Sequence, residues 1–489
     1  MQTVIFCLLA LFLLTAMSTA QCTAPATMSV TTWHNDNCRT GWQQSETQLT
    51  PQSVLGNFGL LWRWGSPKNP LAGNVYAQPL AVTLPQSVGN CQNPCSLVIV
   101  ATEQAMLYAF NASSSSQTPV WSTNLAQTAG GLVVDCNSSP GSSWSLCQPD
   151  PQGHLLLGRY VGVTGTPVID METTPYTLFV AAAVEIPSFS SGYAIEYLLF
   201  AVDITTGNVK AQTGIGGSVP GQGTQSYCST TSGTGMLAFD VNHIQRSGLL
   251  LLPNGVVYVP FADLPEYENG WLFGYSLSGS SLSQTAIFTG TPHGTGGGIW
   301  GSGAGPAFDG TYIYVATGNG TFDVPSGEPD YGDSLLKLDP STLAIKDYYT
   351  PYDVFNYPVP SGHGLCPNDE DFGSGGVLLP PDFKYYGGSA CSGGCSVVIN
   401  ADKQSNLYVA DQRNLGGFSS GTVCAGGLNN IECITTPPIP SNDPGRATGA
   451  APPTGSTQAE ARRTICSIMC RQRRTSVSAS RPRRLTDTS

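Results

Sequence analysis

Residues Gly294 to Asp339 read GTGGGIWGSGAGPAFDGTYIYVATGNGTFDVPSGEPDYGDSLLKLD. A Gly-rich run presents one indole, Trp300. The alternating segment Thr311-Tyr312-Ile313-Tyr314-Val315-Ala316 follows and reads as a strand. Thr317-Gly318-Asn319-Gly320 has the composition of a tight turn. A second strand closes on Leu335-Leu336-Lys337-Leu338-Asp339.

The same phrase recurs along the chain. Leu97 to Thr102 precedes Leu107 to Asn111, Leu178 to Ala182 precedes Leu199 to Asp203, and Val256 to Val259 precedes Trp271 to Tyr275. Val397 to Asn400 precedes Asn406 to Asp411. Each phrase reads as two neighbouring strands of a four-stranded antiparallel sheet. A sheet of this kind cannot bury both faces alone, so the repeats stack around an axis as the blades of a β-propeller. Five blades are legible, and Leu60 to Trp64 with Val75 to Leu80 is expected to add strands to a further one.

Composition agrees with this all-β reading. The 489 residues hold 57 Gly and 36 Pro, only 11% are charged and 40% are hydrophobic, which suits many short strands joined by turns. A formal net charge of −12 argues against a nucleic-acid partner. Residues 1–20 carry an apolar core from Val4 to Ala16 and small residues at Ser18 and Ala20, the pattern of a signal peptide. That run is too short to span a bilayer, so the expectation is a secreted, extracellular monomer (periplasmic in a bacterium) with no membrane span. An oxidising compartment makes the cysteines disulfide candidates. Close spacing pairs Cys91 with Cys95, Cys136 with Cys147, Cys391 with Cys395 and Cys424 with Cys433. Cys22 with Cys38 is a further pairing, and Cys228 with Cys366 is left by elimination.

The order Trp, strand, Thr-Gly-Asn, strand, Leu-Asp resembles one blade of the pyrroloquinoline-quinone (PQQ) repeat propellers, the fold of the quinoprotein alcohol dehydrogenases. Trp33 to Asn37 with Arg39-Thr40-Gly41, Leu49-Thr50-Pro51, and Gly165 to Asp170 resemble the opening of secreted PQQ-like propeller proteins. The resemblance runs from about Trp33 to Gly417.

It implies a chemistry. In that family a Trp forms the floor under the quinone, and a Glu, an Asn and an Asp surround a Ca²⁺ ion. A nearby Asp takes the alcohol proton. By position, Trp300 is the floor and Glu185, Asn319 and Asp371 are the metal ligands. Asp371 is also the catalytic base, with Asp369 as the alternative. Gln412 and Arg413 stand where the family contacts the quinone. Each residue also has a structural reading. Trp300 packs a channel, Asn319 suits a positive φ or a glycosylation sequon, and Glu185 and Asp369 to Asp371 are surface loops. Two departures weigh against the quinone site. The chain has no Cys-Cys dipeptide, and Gln412 displaces the expected Arg by one position to Arg413. The first function is therefore a PQQ- and Ca²⁺-dependent dehydrogenase of alcohols or sugars. The alternative is a cofactor-free module that binds an extracellular protein or glycan.

From Arg446 the character changes. Residues 446–489 contain nine Arg, two acidic residues and no aromatic. They read as a basic disordered arm or as an out-of-frame tail, against a propeller domain over 21–445. The abrupt break favours the second reading, with a ring expected to be incomplete at its C-terminal end.

Overall fold

The computed structural model describes residues 29–43, 46–65, 71–138, 140–149, 153–188, 192–221, 235–263, 269–351, 354, 369–380, 396–403, 406–418 and 431–435. Among them the longest helix has seven residues, Pro51–Asn57. The other helical pieces are one four-residue α-helix, Leu125–Thr128, and single 3-10 turns, and the remaining regular structure is strand. The expected tail, the signal segment, and Cys22, Cys228, Cys366, Cys391, Cys395 and Cys424 lie outside the described residues, as does the side chain of Cys433.

Five antiparallel sheets follow one another as blades. Blade 1 pairs Leu80–Leu84, Cys95–Ala101, Met106–Asn111 and Trp121–Asn124 in sequence order. Blade 2 does the same with Val168–Asp170, Thr177–Ser188, Gly192–Asp203 and Val209–Gly214. Blade 3 is built on Val256–Asp263, Trp271–Ser278 and Ser281–Thr289, with the short strands His243–Ile244 and Leu250–Leu251 on its inner edge. Blade 4 runs Ala307–Phe308, Ile313–Ala316, Leu335–Leu338 and Ile345–Thr350, and Gly417–Phe418 adds to its outer edge in parallel. Blade 5 contains Val397–Ala401, Asn406–Asp411 and Ile431–Thr435.

Side-chain alternation explains the stacking. Successive strand residues point to opposite faces. Leu178, Val180 and Ala182 of blade 2 therefore pack on Leu97, Ile99 and Leu107 of blade 1. Their neighbours Phe179, Ala181 and Ala183 pack on Val257, Val259 and Phe273 of blade 3. The same alternation joins Tyr258 and Leu272 to Ile313 and Leu336, then Tyr314 and Leu335 to Val398 and Tyr408. Both faces of the inner strands are buried, so their sequences are nearly continuous apolar runs.

The N-terminal segment ties the blades together. Val30 exchanges both backbone hydrogen bonds with Ala81 of blade 1, and the Thr31 carbonyl accepts from Ile169 of blade 2. The Asn37 side chain donates to the Leu251 carbonyl of blade 3. The Asn37 and Cys38 carbonyls accept from Phe308 of blade 4 and from Leu379, beside the inner edge of blade 5. Arg39 is almost wholly buried beneath this strap. Its guanidinium donates to the Pro306, Leu249 and Trp33 carbonyls and to the Thr32 hydroxyl.

Among the described residues the further N-terminal blade is not seen. Leu80 begins blade 1, and Leu60 to Trp64 makes no strand. Thr50 instead caps a helix that has Pro at its first turn, and Trp64 stacks on Phe110 of blade 1. Two expected disulfides are present, Cys91–Cys95 and Cys136–Cys147. Cys38 is disulfide-bonded as well.

Candidate functional site

In four blades a polar side chain lies just past the second strand's pairing with the inner edge: Glu103, Asn319 and Lys403 follow that strand, and Glu185 lies within it, opposite Ile195. Ile99, Phe179, Tyr314 and Ile399 each pair with an inner-edge residue. Glu103, Glu185, Asn319 and Lys403 lie a few residues beyond those pairs, so antiparallel geometry sets all four at the same end of the blades.

Asn319 is the centre of one cluster. Its backbone N–H donates to Oδ1 of Asp371 at 2.9 Å, and its Nδ2 donates to Oδ1 of Asp369 at 3.1 Å. Its Oδ1 is buried and has no hydrogen-bond partner. At 3% exposure Asn319 is closed to a glycosyltransferase, so the sequon reading of this residue fails. The Trp300 indole and the Asp371 carboxylate converge on Gly318. A Cβ there would stand 2.4 Å from Asp371 Oδ1 and 2.8 Å from Trp300 Cδ1, so the position admits only hydrogen.

The backbone that follows Asp371 is pinned on two sides, and the Asp371 carboxylate is paired with a lysine. The Phe372 N–H donates to Asp333 Oδ1 at 3.0 Å, and Asn400 Nδ2 donates to the Phe372 carbonyl at 2.8 Å. Lys403 forms ion pairs with both Asp369 and Asp371. Burial alone would lower the Lys403 ammonium, but the two carboxylates outweigh it and hold its pKa above the ordinary value. Burial raises Asp369, and Lys403 opposes that rise while Asp371 adds to it. Asp369 sits at φ 54°, a left-handed conformation that aims its carboxylate back at Asn319.

Glu185 is placed by blade 2. Its backbone pairs both ways with Leu132, which brings the loop from Gly131 to Val161 over it. Burial raises its carboxyl, partly offset by backbone hydrogen bonds from Asp135 and Gly141. Oε1 is buried without a partner. No hydrogen bond or ion pair joins Glu185 to the Asn319 cluster among the described residues. The structure thus brings Trp300, Asn319, Asp369 and Asp371 together, and Glu185 lies in the second strand of another blade, opposite Ile195.

Gln412 and Arg413 are placed elsewhere. They follow the far end of Asn406–Asp411, the end of that strand away from Lys403. The Arg413 guanidinium forks onto Asp411, and Gln412 bonds the Val397 carbonyl. The sequence reasoning missed Lys403. Its signal was the equivalence of its turn with those of Glu103 and Asn319.

Known structures share this architecture. The quinohemoprotein alcohol dehydrogenase of Comamonas testosteroni superposes with a TM-score of 0.50 at 15% identity, over 84% of this chain and 53% of that one. The fold is that of the PQQ-repeat propellers. A quinohemoprotein alcohol dehydrogenase of Pseudomonas putida is similar over 83% of this chain and 48% of its own, with a TM-score of 0.49 and 14% identity. The chain spans about half the length of these neighbours. At such identity the likeness establishes fold, and activity rests on the site. No family model matches the sequence, and no curated protein does.

Proposed function

We propose that the chain is a secreted quinoprotein oxidoreductase that oxidises alcohols or sugars with PQQ and Ca²⁺. One observation carries this reading. Two of the oxygens expected to ligate the metal, Asn319 Oδ1 and Glu185 Oε1, are buried and unpartnered. An unpaired buried acceptor costs about 1–3 kcal/mol, so a fold that keeps two of them is suited to a cation. Hard oxygen donors match Ca²⁺.

Asn319, Glu185 and the Asp371 carboxylate would hold the metal, and the Trp300 indole would form the floor for the quinone ring. When bound, the quinone accepts the two electrons of the oxidation and Ca²⁺ polarises its carbonyl. Asp371 takes the hydroxyl proton of the substrate. Lys403 pairs with that carboxylate, and the Asn319 N–H fixes its orientation.

Dye-linked turnover tests the reading. Protein reconstituted with PQQ and Ca²⁺ is expected to reduce an artificial acceptor with primary alcohols or aldoses, and to stop when the metal is chelated. Quinone binding without turnover on any such substrate would exclude the oxidoreductase and leave a propeller that binds a protein or glycan.

A further inference from the structure

A second pair of acidic residues lies outside the Asn319 cluster. The hairpin that leaves Asn319 and returns at Asp333 is closed by a bridge between Phe322 and Tyr331. Asp323 and Asp330 flank that bridge. The Asp330 N–H donates to Asp323 Oδ1 at 3.1 Å, and the Asp323 N–H donates to the Asp330 carbonyl at 3.3 Å. Asp330 Oδ1 also accepts the backbone N–H groups of His293 and Gly294, at 2.9 and 3.2 Å. Asp330 is fully buried and Asp323 is 4% exposed.

What these contacts leave over points to a ligand. Oδ2 of Asp323 and Oδ2 of Asp330 are both buried with no hydrogen-bond partner. Among the described residues no Lys or Arg forms an ion pair with either one. The other titratable groups beside them are His293 and Glu328, whose side chains bond each other at 3.0 Å. Two neighbouring carboxylates taken out of water without a counter-charge are strongly unfavourable. Free, buried carboxylate oxygens suit a hard divalent cation.

We propose that Asp323 and Asp330 bind a divalent cation of the Ca²⁺ type through their free Oδ2 atoms, at a site separate from the quinone centre. Two carboxylates supply the charge, and carbonyl or water oxygens complete the shell. The site would also stiffen the candidate active centre. The Asp333 N–H at the end of the hairpin donates to the Gly318 carbonyl at 2.8 Å, and Asp333 Oδ1 accepts from Phe372 beside Asp371. A cation clamping the hairpin at Asp323 and Asp330 therefore fixes Gly318, Asn319 and Asp371 relative to one another.

Calorimetric titration of chelator-stripped protein with CaCl₂, without quinone, tests this inference apart from the oxidoreductase reading. Wild type is compared with Asp330→Asn, Asp323→Asn and Asn319→Ala, each checked for folding by circular dichroism. Asn is nearly isosteric with Asp, and either Asn variant suffices if the other does not fold. Both are expected to lose one Ca²⁺ equivalent, or to bind it at least about a hundredfold more weakly. They should also lose the rise in melting temperature that this equivalent gives wild type, whereas Asn319→Ala, whose loss falls on the separate active-centre ligand set, should keep the equivalent held by Asp323 and Asp330. Wild type that binds no Ca²⁺, or Asp330→Asn and Asp323→Asn that bind as wild type does, would overturn the proposal.

Discussion

The backbone N–H of Asn319 meets Oδ1 of Asp371 at 2.9 Å, across 52 residues of sequence. This contact joins the turn of blade 4 to the segment that leads into blade 5. The other Asp371 oxygen faces Lys403, so one carboxylate is oriented by an amide and paired with an ammonium. Asp371→Asn keeps an acceptor for the Asn319 N–H and removes the anion. It should lower dye-linked turnover by about a hundredfold or more, the scale of a lost general base, and leave the fold unchanged by circular dichroism. Turnover equal to wild type would remove Asp371 from the proton-accepting role.

Gly318 is the second point of contact. A methyl group there would overlap Asp371 Oδ1 and the Trp300 indole edge. Overpacking of this kind costs about 1–3 kcal/mol. Gly318→Ala should fold with that modest loss in urea unfolding, and its quinone affinity should fall by about tenfold, one such cost taken at the site. An unchanged affinity would show that the indole and carboxylate need not converge here.

The blades were legible because their inner strands are buried on both faces, so each reads as an apolar run ended by a turn. Leu97 to Thr102 and Tyr312 to Ala316 carry that signal. The candidate site was legible where a turn has a distinctive composition, as at Thr317-Gly318-Asn319. Lys403 was not, because a Lys in a turn is usually solvated, and only contact with Asp369 and Asp371 gives it a role. Gln412 and Arg413 were read by spacing from a strand end, yet Arg413 finds its nearest acid in Asp411 of the same turn. The helix at Pro51 was signalled by Thr50 and Pro51 as cap and first residue. The apolar pair Leu60-Leu61 has the composition of a strand but is exposed and forms none. Arg39 gave no local sign of burial, since two of its four acceptors, the Pro306 and Leu249 carbonyls, lie more than two hundred positions away.

Arg39 holds the strap across the blades. Its guanidinium serves four buried acceptors in different directions. A lysine ammonium cannot span them, and each acceptor left unpaired costs about 1–3 kcal/mol. Arg39→Lys should therefore lower the unfolding free energy by at least one such increment, read as a lower urea midpoint with the slope unchanged. A midpoint equal to wild type would show that the strap does not depend on this side chain.

Glu103 sets a pH dependence. Burial pushes its carboxyl from 4.5 up to about 7, only partly offset by hydrogen bonds from Gly162 and Thr164. The folded state therefore prefers the proton. The stability this gives is full below the unfolded value and is lost as pH rises through the folded one. The shift corresponds to roughly 3 kcal/mol. Wild type should lose stability relative to Glu103→Gln between about pH 5 and 8. Parallel pH profiles for the two proteins would contradict the assignment.

The central claim is that Trp300, Asn319, Glu185 and Asp371 hold a quinone over a cation. Absorbance titration of the purified protein with PQQ, with and without Ca²⁺, tests it most directly. The account predicts a saturable one-to-one change in the quinone spectrum that requires Ca²⁺ and is lost in Trp300→Ala and in Asn319→Ala. A quinone spectrum that stays that of the free compound at all Ca²⁺ concentrations, with the protein folded, would contradict it.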